Sequence, residues 1–189
     1  MNIILASGSP RRLELLKMIG IGDFKVIADT TDEIITPELT PEEQVTKLAL
    51  KKAKNVSAAC RNDDLIIAAD TLVYLDGEPL GKPESPFDAE RMLQKLSGQK
   101  HSVYTGITLL RGNENTSKVE KTDVYFREIS TDEIKSYVKT GEPMDKAGSY
   151  AAQGGAAIFI ERIDGDFFNV MGLPLCCLSI MLKDFGVRI

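Results

Sequence analysis

The chain has 189 residues, 43% of them hydrophobic and 27% charged, a balance that suits a soluble globular protein of one domain, or one with two lobes, built on a substantial core. A net charge of −5, no tryptophan and 6% aromatic residues argue against a nucleic-acid polymer as partner, since that role calls for a basic face and aromatic stacking platforms. No apolar run nears the roughly 20 residues that cross a bilayer, the start lacks the form of a signal peptide, and cysteines at positions 60, 176 and 177 form neither a disulfide framework nor a zinc spacing, so a cytoplasmic protein without a membrane partner is expected.

Ile3-Ile4-Leu5 reads as a first strand, followed by the turn Ala6-Ser7-Gly8 and a helix that Ser9 caps and Pro10 opens. Leu13, Leu15, Leu16, Met18 and Ile19 supply an apolar face for about ten helical residues. Arg11 and Arg12 stand in the first turn, where a helix dipole prefers acids. Their placement makes sense if a multiply charged anion sits before the helix N-terminus, beside the hydroxyls of Ser7 and Ser9.

Phe24–Ala28 reads as a strand, followed by an acidic turn that includes Glu33. Thr40-Pro41-Glu42-Glu43 is a capping box opening a long helix to about Ala59, with Val45, Leu48, Ala49 and Ala53 facing inward and Lys51, Lys52 and Lys54 riding on it. Leu65–Ala69 is a continuous apolar run, expected of a strand buried on both faces, and it ends at Asp70-Thr71. A carboxylate at the end of a buried strand is costly to place idly, and such ends are where α/β proteins bind ligands. Val73-Tyr74-Leu75 and Glu78-Pro79-Leu80 read as a hairpin leading to Lys82, which is held between Gly81 and Pro83.

Ser85-Pro86 opens a helix that Gly98 closes. Two long strands follow, from His101 to about Arg111 and from Val119 to about Arg127, with the sole histidine given a structural role. Ser130–Glu133 is a second capping box, and residues 143–155 read as a polar loop. Ala156–Ile163 and Phe167–Val170 read as a strand pair, then Gly172-Leu173-Pro174 starts a last helix with Cys176, Cys177 and Met181 in the core.

Four cations beside turns or on one helix (Arg11, Arg12, Lys52, Lys82) and two acids after strands (Glu33, Asp70) match the needs of phosphoanhydride cleavage. A cation roughly 4 Å from a phosphate charge gains about 1 kcal/mol in water but about 4 kcal/mol at an effective dielectric of 20, so several semi-enclosed cations are required. Oxygen ligands such as Glu33 and Asp70 select Mg²⁺ or Mn²⁺; a carboxylate holding no metal can instead serve as general base on water. No P-loop and no Gly-x-Ser-x-Gly elbow is present.

Ser7-Gly8-Ser9-Pro10-Arg11-Arg12, Ala69-Asp70-Thr71, Gly81-Lys82-Pro83, Leu96-Ser97-Gly98, Asp145-Lys146-Ala147-Gly148 and Gly172-Leu173-Pro174-Leu175 together resemble the signatures of the Maf family of nucleoside triphosphate pyrophosphatases, nearly end to end. The resemblance implies an α/β fold like that of inosine triphosphate pyrophosphatase, with a long mixed β-sheet, flanking helices and two lobes around a cleft. It implies cleavage between the α and β phosphates with a divalent metal, Asp70 as general base, and Glu33, Lys52 and Lys82 as its companions. Ser7, Arg11 and Arg12 match the family's phosphate-binding turn. Arg11, Thr71 and Gln153 match the subgroup acting on dTTP and UTP; a glutamine amide both donates to and accepts from a pyrimidine's carbonyl and imide edge. Ala151-Ala152 departs from the bulkier pair expected before Gln153. The resemblance also implies a homodimer, and it leaves a second reading from another class, a nucleotide-binding regulator of septum formation and cell division.

Overall fold

The computed structural model describes residues 2–31 and 34–188. Among these, β1 (Ile3–Leu5), α1 (Pro10–Met18), β2 (Phe24–Val26), α2 (Pro41–Ser57), β3 (Leu65–Leu75), β4 (Glu78–Leu80), α3 (Pro86–Leu96), β5 (Lys100–Arg111), β6 (Glu114–Phe126), α4 (Thr131–Val138), β7 (Ile160–Asp164), α5 (Phe167–Met171) and α6 (Leu175–Asp184) follow in chain order, with short 3₁₀ turns between α4 and β7. The fold is mixed α/β: a seven-stranded sheet in the order β2-β1-β3-β5-β6-β7, with β4 on β3, and flanking helices.

The chain divides into two compact units, one of residues 1–70, 105–120 and 172–189, the other of residues 71–104 and 121–171, so β3, β5 and β6 each contribute to both. In the first unit, β1 runs parallel to β2 and to β3, in the registers Leu5↔Val26 and Leu5↔Ile67. Ile4, Ala6, Ala53, Val56, Ile66, Ala68 and Leu110 form a core there. The backbone of α2 lies so near β5 that a Cβ at Gly106 would fall 2.5 Å from the Val45 carbonyl oxygen; only glycine admits the helix at that distance. In the second unit, α3, α4 and the strands around them bury a cluster that includes Leu93, Leu96, Val124, Phe126, Ile134 and Phe159.

Both capping boxes close as read. Thr40 and Ser130 accept from the amides of Glu43 and Glu133, whose carboxylates accept the cap amides in return. Several expectations are corrected. β3 does not stop at Asp70; it is one 11-residue strand, paired with β1 at its start and with β4 from Val73 to Leu75. Asp70 therefore lies mid-strand, between these two ladders. β6 begins at Glu114 rather than Val119, because Gly112 (φ +57°) turns the chain directly into a hairpin. Phe167–Met171 is helical, not a strand. Asp166 accepts from the Phe168 amide at 2.7 Å, and the buried Asn169 amide donates to the Val103 carbonyl at 3.0 Å and the Thr122 hydroxyl at 2.9 Å, contacts that suit a helical turn. β7 pairs with β6 instead, after a 3₁₀ turn over Gly155–Phe159. Met18 and Cys176, expected in the core, are exposed.

His101 is structural, at 1% exposure. Its ring meets Phe126 and Tyr150 edge-on, its Nε2 hydrogen-bonds the Tyr150 hydroxyl at 2.8 Å, and its Nδ1 has no hydrogen-bond partner among the described residues. Burial pushes its pKa down from 6.5 to about 4, with the Asp123 charge opposing. The unfolded chain therefore takes up this proton first as pH falls below 6.5, and the native state loses roughly 3 kcal/mol of stability by pH 4, where the slope ends. As the chain's one histidine, it dominates that window. Urea unfolding at pH 7, 5.5 and 4 should show the loss in the wild type and not in His101→Phe; parallel losses in both would assign the acid sensitivity elsewhere.

Candidate functional site

In the strand order β2-β1-β3 the chain leaves β1 on one side and returns on the other, so the end of β1 is a topological switch point, where α/β sheets take ligands. Ala6 extends the ladder by donating to the Ile67 carbonyl at 2.8 Å, and Ser7 and Asp70 follow at the same end of these parallel strands. The turn after β1 is held from within. Ser7 Oγ accepts from the Ser9 amide at 3.2 Å and from Arg12 Nη1 at 3.3 Å, whereas the Ser9 side chain makes no capping bond. Arg12, 9% exposed, points inward and donates through Nε to the Gly172 carbonyl at 2.7 Å, so it ties α1 to the start of the C-terminal segment. Arg11, on the next position of α1, is half-buried.

Asp70 is 2% exposed and is ion-paired to Lys52 of α2, through a short contact between Lys52 Nζ and Asp70 Oδ1. A carboxylate so buried requires such a partner. Glu33 lies outside the described residues; helix α2 holds the described residues before and after it. On one flank, Asn55 donates to Asp29 and to the Thr31 hydroxyl, and Thr31 donates to Asp29 through its amide and its hydroxyl. Burial raises the Asp29 pKa, but these bonds and the Lys52 charge outweigh it and hold the carboxyl below its usual value. On the other flank, the fully buried Gln44 amide donates to the Ile34 carbonyl at 3.0 Å and accepts from the Thr36 amide at 2.9 Å. The sequence carries one signal for Gln44, a polar residue one turn before Leu48 on the apolar stripe of a capped helix.

The second unit carries the other predicted residues. Thr71, half-buried, follows Asp70 on β3. Lys82 is exposed on a loop fixed by its neighbours: Pro83 is buried, and the Gly81 carbonyl accepts from the Gly148 amide at 3.0 Å. Gly148 in turn lies at φ +69° against Val73. Gln153 is exposed, and the two alanines before it are buried.

Among the described residues no three His, Cys, Asp or Glu side chains cluster, so they form no all-protein cage for a divalent metal. Asp70 supplies one hard oxygen donor, which fits Mg²⁺ bound chiefly through a ligand's phosphates. No helix among the described residues is long and apolar enough to cross a membrane.

The mixed α/β sheet with its flanking helices has a fold like that of Ham1 proteins. The chain aligns with the Staphylococcus aureus Ham1 protein over 98% of this chain and 100% of that one, at a TM-score of 0.54 and 17% identity, a likeness of fold. The family model described as Maf-like protein matches residues 2–185, and the chain belongs to the Maf family. Similar relatives include proteins named dTTP/UTP pyrophosphatase from Caldicellulosiruptor bescii, 49% identical over 98% of this chain and 95% of that one, and from Methanosarcina barkeri, 49% identical over 100% and 96%.

Proposed function

We propose that the protein hydrolyses dTTP and UTP between the α and β phosphates, releasing the nucleoside monophosphate and pyrophosphate. The observation that carries this reading is the buried Lys52–Asp70 pair at the switch point beside the Ser7–Arg12 turn, in a chain with near-half identity to relatives bearing that name. Asp70 acts as general base on the attacking water, and Lys52 keeps that carboxylate ionised and oriented. Arg11 and the helix start bind phosphate oxygens, with Lys82 as a further cation. Arg12 contributes mainly by fixing Ser7 and α1. Gln153 and Thr71 recognise the pyrimidine edge. Asp70 and Glu33 are the carboxylates that would hold Mg²⁺ or Mn²⁺, which would supply charge neutralisation on the phosphates.

The test is the purified protein against the natural triphosphates, scoring pyrophosphate against orthophosphate. Pyrophosphate release from dTTP and UTP well above that from ATP and GTP is expected, lost with chelator and restored by Mg²⁺ or Mn²⁺. Orthophosphate as product, or equal rates on ATP and dTTP, would overturn the assignment.

A further inference from the structure

Gln153 stands on a tight turn closed by the Gly154 amide donating to the Ala151 carbonyl at 3.0 Å. Two side chains hold this turn from its two ends. The Tyr137 hydroxyl, from α4, accepts from the Ala151 amide at 3.3 Å and donates to Glu142 Oε1 at 2.8 Å. The Glu142 carboxylate takes the Gly155 amide at 3.1 and 3.2 Å. It lies so close that a Cβ at position 154 would fall 2.2 Å from Oε1 and would have to displace the carboxylate from its bonds. The clamp is itself fixed: the Tyr137 ring packs edge-on to Phe159, with centroids 5.5 Å apart. Burial and then the Glu142 bond raise the Tyr137 pKa, so the phenol stays a donor.

A turn of this size closes with its own backbone bond. A buried phenol and a carboxylate committed to the amides on either side of Gln153 do something more, which is to remove the backbone freedom that would blur where residue 153 is presented. We propose that Tyr137 and Glu142 are positioning residues that fix the Gln153 turn and thereby set discrimination among nucleobases. This rests on the reading of Gln153 given above.

The test compares dTTP with dATP in steady-state kinetics for the wild type, Tyr137→Phe and Glu142→Gln. Tyr137→Phe keeps the ring packing and removes only the hydroxyl. Its dTTP/dATP preference in kcat/KM should fall roughly three- to tenfold, the worth of a neutral hydrogen bond, through a raised KM for dTTP with kcat nearly unchanged. Glu142→Gln, with one acceptor oxygen in place of two, should lose at least as much. Variants that melt lower but keep the wild-type preference would overturn the proposal and leave a purely structural clamp. A wild type indifferent to the base would instead overturn the reading of Gln153, and this role with it, before any variant is compared.

Discussion

Asp70→Asn is expected to cut turnover by about 10²- to 10⁴-fold, the usual worth of a general base, while dTTP still binds. The substitution is nearly isosteric, which matters at a position with 2% exposure. The asparagine oxygen still accepts from Lys52 Nζ, so the strand and the Lys52 side chain keep their places. What disappears is the capacity to take a proton from water. Because the cations assigned to phosphate binding lie on other elements, affinity measured by calorimetry without divalent metal should change little. Unchanged turnover would remove Asp70 from the chemistry. Turnover and metal-free nucleotide affinity lost together would make it an anchor for the substrate rather than a base.

Much of the fold was legible because it is written locally. The capping boxes at Thr40 and Ser130 carry their own partners three residues on, and the strand-turn-helix around Ser7–Arg12 announces itself through Gly, Ser and Pro. Where the sequence misled, the deciding contact was distant. Phe167–Val170 is a short apolar run that fits strand and helix equally; the choice was made by Asn169 reaching Val103 and Thr122, more than 40 residues away. Asp70 reads as a strand terminator because aspartate is depleted in strands. It sits mid-strand since Lys52, 18 residues earlier, is there to neutralise it. The sequence could nominate both residues for one site but not place the ammonium on the carboxylate. Tyr137 and Glu142 left no periodic trace at all, being five residues apart across the end of α4.

Lys52→Met tests that same pair from its other side, and here the expected effect is on stability. The two side chains are 12% and 3% exposed, so solvent does little to replace the lost partner. Removing one member of a buried pair strands the other charge, at a cost of about 3–5 kcal/mol. Methionine preserves the apolar stem of lysine against α2's surroundings, which confines the change to the missing ammonium. The lower end of the range is expected, because Lys52 and Asp70 both have further interactions. The double variant Lys52→Met/Asp70→Asn distinguishes stranding from simple loss of packing. With no carboxylate left to strand, it should regain most of the stability that the single lysine variant loses, a coupling well outside the few tenths of a kcal/mol seen for independent sites. Urea midpoints with constant slope give all three differences directly. Strictly additive costs would mean that the ammonium and the carboxylate do not depend on each other for their burial, and Lys52 would then have no part in keeping Asp70 charged.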